Sequence, residues 1–247
     1  MKFLFYLLSL VPKSLFEYLI DIYLSLGVYK YSSGFKVTSK NIEIAFPDRN
    51  KKDVALLAKR SFKESIISGY ESIYTWGRND AKVNSNILRI ENNYLINNLK
   101  ENGLIAVSFH NRSVDMLLTW MNSQYTTTSL FKKIKNNTLN TFVKQRRESK
   151  KSKCYETNIS GVKEIFKSLK NKNIVCFAAD QVPKRGFGEY IDFFNVKAYT
   201  TTLVQSLVNK TEANVMYFFI QSSPDNDINI ILKRCNKSIN NCLLYTS

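Results

Sequence analysis

From Trp76 onward, short apolar runs alternate with stretches whose apolar residues recur at helical spacing. We predict strands at residues 104–109, 174–179, 215–220 and 228–232, and helices near residues 94–100, 114–121, 139–148, 160–169 and 201–209. Such alternation favours an α/β fold. The run 174–179, IVCFAA, is apolar throughout, as expected of a strand covered on both faces. We therefore predict a mixed, largely parallel central sheet flanked by helices.

The part of the chain before this alternation is expected to be helical or connecting. Apolar residues recur at helical spacing through residues 52–76, which predicts one long helix. Residues 35–47 are expected to form a connector, and Pro47 with Asp48 resembles a turn at the start of that helix. Glu71 and Trp76 are most simply a carboxylate at the edge of the core and a packing aromatic.

The first residues of the chain are strongly apolar. The run 3–11, FLFYLLSLV, is too short to cross a bilayer, which needs about 20 apolar residues. If Pro12 is tolerated as a kink, the apolar character resumes at 15–28. We therefore expect residues 1–34 to form an amphipathic, membrane-anchoring helical segment. A buried N-terminal helix pair is the alternative, and residues 35–247 are expected to form one domain.

Charge and cysteine content limit the class of protein. The sequence has 36 Lys and Arg against 20 Asp and Glu, a formal net charge of +16. Such an excess favours an anionic partner: nucleic acid, an acidic protein or an anionic membrane. The four cysteines show no C-x-x-C spacing, and a single histidine supplies no ordinary zinc set with them. We expect a reduced, cytosol-facing protein with no cofactor and no metal.

The single histidine, His110, follows the apolar run 104–109, and Asp115 lies five residues later. If His110 leaves the strand and Ser113 caps the next helix, Asp115 lies in the first helical turn and can bend back to the imidazole. One ring nitrogen would then donate to the carboxylate, and the other would accept a proton from a hydroxyl. The competing interpretation is an ordinary turn histidine with a satisfied hydrogen bond.

Several further segments occur in the order found in the lipid A biosynthesis (late) acyltransferase family, within the glycerolipid acyltransferase superfamily that shares the His-x4-Asp motif. About three quarters of the chain resembles this family. The matching segments are Asn41-Ile42 with Phe46-Pro47, Glu71 with Trp76, His110 to Asp115, residues 134–147 (IKNNTLNTFVKQRR), AADQ at 178–181, and FFNVKAYTTT at 193–202.

This resemblance implies an enzyme of the bacterial inner membrane whose active site faces the cytoplasm. It would move a fatty acyl chain from acyl carrier protein to a hydroxyl of a lipid A precursor. His110 would act as the general base, and Asp115 would orient it and stabilise the imidazolium. The basic charge would then meet two acidic partners, a phosphorylated glycolipid and the carrier protein.

The resemblance also suggests substrate-binding residues, each with a simpler alternative. Either Arg146 or Arg147 would bind a phosphate or carrier anion, unless both lie on a solvated helix end. Arg112 would be a further phosphate ligand, although solvent exposure is the simpler expectation for it. Asp180 and Gln181 would shape the site, with an ordinary turn aspartate at a strand end as the alternative for Asp180. Phe193 and Phe194 would line an acyl groove, with an ordinary aromatic core contact as the alternative. Thr200 would lead into the helix from Leu203.

The sequence also departs from the family pattern. Asn137-Thr138-Leu139 replaces NPL, and Phe193-Phe194-Asn195 replaces FFG, where Asn tolerates the left-handed backbone that Gly would adopt. The final residues, CLLYTS, suggest C-terminal truncation of the acyltransferase domain. The alternatives are an acyltransferase of another membrane glycolipid, a non-catalytic basic lipid-binding protein, and a nucleic-acid-binding protein, although no nucleic-acid-binding motif accompanies the lysines.

Overall fold

The structure, a computed structural model, describes residues 1–222 and 227–235. The α-helices are α1 (Lys2–Leu8), α2 (Lys13–Ser25), α3 (Ser33–Ala45), α4 (Lys51–Gly77), α5 (Asp80–Asn84), α6 (Tyr94–Leu99), α7 (Val114–Gln124), α8 (Asn137–Arg147), α9 (Ile159–Lys170) and α10 (Leu203–Thr211). The strands are β1 (Ile87–Glu91), β2 (Leu104–Ser108), β3 (Thr127–Phe131), β4 (Lys153–Glu156), β5 (Ile174–Ala178), β6 (Gly188–Phe193), β7 (Val196–Thr201), β8 (Asn214–Ser222) and β9 (Ile228–Arg234). Short 3-10 helices span Val28–Tyr31 and Lys100–Asn102.

A seven-stranded sheet in the order β1-β9-β8-β2-β5-β3-β4 forms the centre of the described residues. Neighbouring strands run parallel except β8 and β9, which pair antiparallel. β6 and β7 form a separate antiparallel hairpin. The predicted fold class, a mixed and largely parallel sheet flanked by helices, is confirmed.

The two faces of the sheet are both covered, because alternate residues of β2 and β5 point into different cores. On one face, Leu104 and Ala106 pack with α6 and α7. On the other face, Ile105 and Val107 pack with α9 and α10. This double burial explains why these strands are apolar along their whole length.

The elements that the sequence did not reveal are short or polar. β3 and β4 read TTSLF and KCYE, so neither stands out as an apolar run. The connector expected at residues 35–47 is wrong, because Ser33–Ala45 is the helix α3. Ser32 caps this helix by accepting a hydrogen bond from the backbone N–H of Phe35 at 3.2 Å, and Phe35 packs edge-on against Phe62 of α4.

The N-terminal helices α1 and α2 pack on α4 and also present apolar side chains to the surface. Phe5 is buried against Trp76 and Phe142, and Phe16 stacks on Tyr70. Within the described residues, every individual helix is too short or too polar to cross a bilayer. Only α1 and α2 taken together have the length and composition of a span, and they are bent by 78° at the break between them. Their exposed apolar residues include Phe3, Leu4, Leu7, Leu8, Leu10, Leu15, Tyr18, Leu19 and Leu26.

Candidate active site

His110 and Asp180 meet because β2 and β5 are neighbouring parallel strands in register. Ser108, the last residue of β2, pairs with Ala178, the last residue of β5. The backbone N–H of Ala179 then donates to the Ser108 carbonyl at 3.0 Å, which extends the pairing one step. His110 and Asp180 each lie two residues beyond the end of their strand, so the parallel register brings them together at the carboxyl edge of the sheet.

Asp180 contacts His110 through both of its carboxylate oxygens. Oδ1 lies 2.8 Å from Nδ1 of the imidazole, and Oδ2 accepts the backbone N–H of His110 at 2.7 Å. Burial tends to raise the pKa of Asp180, but the hydrogen bonds from the side chain and backbone of His110 outweigh it and leave the pKa below its ordinary value. Asp180 is therefore ionised at neutral pH, and an ionised carboxylate requires the proton of a neutral imidazole to lie on Nδ1.

The second ring nitrogen of His110 lies at the open side of the site. Nε2 of Gln181 lies 3.5 Å from it, which is a long and weak contact. The imidazole is half-exposed, with a side-chain exposure of 47%. With Nδ1 held as the donor, Nε2 carries a free lone pair that a hydroxyl group can approach from solvent.

The carboxylate of Asp115 is held by Arg147 instead of His110. Ser113 caps α7 as predicted, accepting the backbone N–H of Met116 at 3.3 Å, and Asp115 lies in the first turn. Its two oxygens accept hydrogen bonds from Nε of Arg147 at 2.6 Å and from a terminal guanidinium nitrogen at 3.1 Å. The expectation that Asp115 bends back to the imidazole is thus wrong for this structure, because a bidentate guanidinium occupies both oxygens.

The pair formed by Asp115 and Arg147 lies mostly inside the protein, with side-chain exposures of 7% and 19%. Burial lowers the pKa of Arg147, but Asp115 raises it more, so the net pKa of the guanidinium is above its ordinary value. This pair ties the start of α7 to the end of α8. Of the two candidate arginines, Arg147 is therefore the one adjacent to the His-x4-Asp segment.

Arg146 points the other way, toward the C-terminal end of α4. Its guanidinium donates to the backbone carbonyls of Thr75 and Arg78 and lies 3.6 Å from the Asp80 carboxylate. Its Nε is buried and has no hydrogen-bond partner in the described structure. Arg146 therefore holds α8 against α4 and α5, and these contacts leave it directed away from His110.

Arg112 is buried, so the alternative of solvent exposure is wrong for this residue. Its side chain is 5% exposed and forms a forked ion pair with Glu71, in which Nε lies 3.1 Å from one carboxylate oxygen and a terminal nitrogen bonds the other. A second terminal nitrogen bonds Glu64. The Glu71 carboxylate is itself only 2% exposed. Both charges of this pair are consequently shielded from water.

Phe193 and Phe194 lie at the turn of the β6–β7 hairpin and are about half exposed. Phe194 and Asn195 both have left-handed backbone, with φ of 48° and 59°, so Asn195 adopts the conformation predicted for the position of the family glycine. The Phe194 ring lies 6.5 Å from that of Phe46. The tip of the hairpin therefore lies beside the C-cap residue of α3.

Two cavities flank these elements. Thr200 lines the smaller one, of about 120 Å³, together with Val107, Ala179 and Tyr217. The larger one, of about 310 Å³, lies between the turn that joins α1 to α2 and the side chains of Tyr70, Glu71 and Arg78. Both lie beside the strand ends and are separate from the imidazole.

Sequence reasoning missed two contacts of the site. It placed Asp180 at a strand end but paired His110 with the nearer carboxylate along the chain. The available signal was the equal distance of His110 and Asp180 from the ends of two predicted strands. It also missed the contact between Glu71 and Arg112, which joins residues 41 positions apart and has no periodicity that would reveal it.

Comparison with known proteins gives the family. The family model for bacterial lipid A biosynthesis acyltransferases matches residues 2–232, nearly the whole chain. A comparison of the chain with curated proteins found no match. The family match covers the His110 segment, the Arg147 segment, the strand β5 and Asp180, which follows it. The chain therefore belongs to the bacterial lipid A biosynthesis acyltransferase family and is an acyltransferase of lipid A biosynthesis.

Proposed function

We propose that the protein transfers a fatty acyl chain from acyl carrier protein to a hydroxyl of a lipid A precursor, with His110 as the general base. The observation that carries this proposal is the bond of 2.8 Å between Nδ1 of His110 and Asp180. It leaves Nε2 available as the proton acceptor. Asp180 takes the orienting role that the sequence suggested for Asp115.

The reaction needs one proton to move from the acceptor hydroxyl to His110 and then from His110 to the leaving sulfur. As the acceptor hydroxyl oxygen bonds to the carbonyl carbon of the acyl thioester, its proton passes to Nε2 of His110. The ionised Asp180 stabilises the imidazolium that forms. The tetrahedral intermediate then collapses, the carbon–sulfur bond breaks, and the imidazolium returns the proton to the leaving sulfur. No covalent bond between the acyl group and the enzyme is required.

Gln181 and the charges near the site supply binding groups. The amide of Gln181 lies beside Nε2 and is placed to hydrogen-bond the acceptor hydroxyl. The loops after β3 and β5 carry the exposed cations Lys132, Lys133, Lys135, Lys184 and Arg185. Because both strands end at the same edge as β2, these cations lie at the carboxyl edge that bears His110 and favour anionic partners. A phosphorylated glycolipid and an acidic carrier protein both meet this requirement.

The site would work at the cytoplasmic face of the bacterial inner membrane. The exposed apolar side chains of α1 and α2, among them Phe3 at 72% and Leu26 at 70% exposure, suit the interface between headgroups and acyl chains. A membrane-bound enzyme meets its lipid acceptor within the bilayer surface and its carrier protein from the cytosol. Exposure of this many apolar residues supports membrane association over a fully soluble existence.

An assay with a thioester donor tests the proposal. Purified protein is supplied with acyl carrier protein as donor and a lipid A precursor as acceptor, and the acylated product is measured by mass spectrometry. We expect His110→Ala to lower kcat by about two to four orders of magnitude while leaving membrane binding intact. The control is Asp21→Asn, which breaks an exposed ion pair with Lys63 far from the imidazole. Full activity of His110→Ala would refute the mechanism.

A further inference from the structure

Three consecutive residues of α4, Tyr70, Glu71 and Ser72, contact two separate parts of the chain. The Tyr70 hydroxyl donates to the carbonyl of Val11 at 2.5 Å, in the turn between α1 and α2. Ser72 Oγ lies 3.1 Å from Oγ of Ser113, the cap of α7. Glu71 lies between these contacts. The middle of α4 therefore touches both the N-terminal segment and the loop that carries His110.

Glu71 makes the central contact of this group. Both of its oxygens bond the Arg112 guanidinium, and Nζ of Lys13, the first residue of α2, lies 3.7 Å from one of them. Arg112 is two residues from His110 along the chain. The ion pair with Glu71 thus links the loop of the general base directly to α4 and, through Lys13, to the N-terminal helices.

The burial of this pair indicates a role beyond stability. Removing two charges from water costs desolvation free energy, and a buried ion pair is often no more stabilising than apolar side chains of similar volume. The two parallel hydrogen bonds between a planar guanidinium and a carboxylate do, however, define one orientation of the arginine. The loop from Phe109 to Ser113 has no helix or strand of its own. Apart from a backbone bond from Asn111 to the Phe109 carbonyl, its conformation depends mainly on side-chain contacts.

The other contacts of the loop leave one point undetermined. Asp180 holds the backbone N–H of His110, Asn111 donates to the Ile220 carbonyl, and Ser113 caps α7. Between these points, the Arg112 side chain reaches α4, where it bonds both Glu71 and Glu64. The Glu71 carboxylate is buried, whereas that of Glu64 is about half exposed. Without Glu71, Arg112 would keep the half-exposed carboxylate of Glu64 as a partner but would lose its buried, two-oxygen contact, so the middle of the loop would be held less firmly.

We propose that Glu71 is a positioning residue for the general base: through its forked ion pair with Arg112 it holds the His110 loop in the orientation that aims Nε2 at the acceptor hydroxyl. Lys13 makes the turn between α1 and α2 part of the same contact, so the apolar N-terminal helices are fixed relative to the imidazole. This inference rests on the proposed role of His110 and adds a residue that positions His110 through Arg112 without itself contacting the imidazole.

The test replaces Glu71 with Gln, which keeps the shape and one acceptor oxygen but removes the charge. We expect kcat to fall by about 10- to 100-fold, since small misplacements of a catalytic group cost this much, while KM for the acyl donor stays within about twofold. Asp21→Asn is the matched control. It breaks an ion pair between the same helices, α2 and α4, without contacting the loop, and should leave kcat unchanged.

A spectroscopic measurement separates positioning from general stability. Because His110 is the sole histidine of the sequence, untagged protein gives one set of imidazole NMR signals. In Glu71→Gln at a temperature where the protein is folded, we expect the Nδ1 proton bonded to Asp180 to broaden and exchange faster with water. An unchanged imidazole spectrum together with wild-type kcat would overturn the proposal.

A double-mutant cycle completes the test. If Glu71 acts only through Arg112, then Glu71→Gln combined with Arg112→Gln should lower kcat no further than the worse single variant. If the fold-losses in kcat of the two single variants instead multiply in the double variant, the two residues act independently and the proposal is refuted. If Glu71→Gln does not fold, Arg112→Lys keeps the charge but loses the fork and should show the same loss of kcat. Activity that survives in His110→Ala refutes the proposed function instead, so the two failures are distinguishable.

Discussion

Replacement of Asp180 by Asn is the sharpest test of the site, because it keeps the shape of the side chain but removes its negative charge and turns one hydrogen-bond acceptor into a donor. The Asn carbonyl oxygen can still accept the backbone N–H of His110, which Asp180 accepts at 2.7 Å. The amide nitrogen would then face Nδ1 and donate to it. The imidazole is forced to carry its proton on Nε2, where the proposed mechanism needs a lone pair. We expect the His110 loop to keep its position in this variant, while His110 can no longer accept a proton at Nε2.

The size of the effect follows from the distance between the two side chains. Opposite unit charges 2.8 Å apart attract by roughly 6 kcal/mol at an effective dielectric constant of about 20. The side chains of His110 and Asp180 are 47% and 39% exposed, so solvent screening leaves roughly 3 kcal/mol of imidazolium stabilisation. That loss corresponds to about a hundredfold lower rate. Inversion of the tautomer adds to it, and the same change in a Ser-His-Asp triad lowers kcat by about 10⁴.

The assay measures kcat for acyl transfer together with the NMR tautomer of the single histidine. We expect Asp180→Asn to lower kcat by about 10²- to 10⁴-fold, with KM nearly unchanged and with the imidazole proton found on Nε2. Membrane binding and the thermal unfolding midpoint serve as controls for folding. A variant with wild-type kcat, or a variant with reduced kcat but an Nδ1 proton still in place, would refute this role of Asp180.

Other contacts give predictions about stability. Arg147→Ala leaves the buried Asp115 carboxylate without its counter-ion and should lower the free energy of unfolding by about 3 kcal/mol, which urea denaturation measures; adding Asp115→Asn should recover part of it, and no recovery would contradict this account. Since the folded-state pKa of Asp180 is lowered, its stabilising contribution is complete above its unfolded-state pKa and is lost as the pH falls through the folded-state value. The difference in unfolding free energy between wild type and Asp180→Asn should therefore shrink as the pH falls below about 4, and a difference that grows would contradict the sign. Gly77→Ala places a Cβ 2.3 Å from a backbone carbonyl of α1 and should destabilise by about 1–3 kcal/mol, whereas Gly69→Ala on the same helix meets nothing within 4 Å and should be neutral or stabilise by up to about 1 kcal/mol in thermal denaturation.

The parts of the fold that were predictable are those whose environment leaves a pattern in consecutive residues. β5 was recognisable because Ile174 to Phe177 are all buried, and a strand covered on both faces has no polar alternation. α4 was recognisable because its buried residues, among them Val54, Ala58 and Ile67, recur along one side. Edge strands such as β4, with one buried residue, leave no comparable pattern.

The connection between His110 and its carboxylate could not be found from spacing along the chain. Asp115 is near in sequence, but its position in the first turn of α7 brings it to Arg147. Asp180 is 70 positions away and is brought close by the register of two strands. Hydrogen-bond partners of this kind depend on strand order, which the local pattern of apolar residues does not specify. The truncation suggested by the final residues concerns residues outside the described part of the chain.

His110 and Asp180 each lie two residues beyond the end of a strand, so their contact depends on the register in which β2 and β5 pair. A slip of two residues between β2 and β5 would keep the same side chains facing each core but would separate the imidazole from the carboxylate by about 7 Å. If His110 is the general base that we propose, a refolded population with these two strands misaligned would contain secondary structure and a buried core and still lack acyl transfer. Recovery of enzyme turnover during refolding consequently counts only those molecules whose central strands have paired correctly.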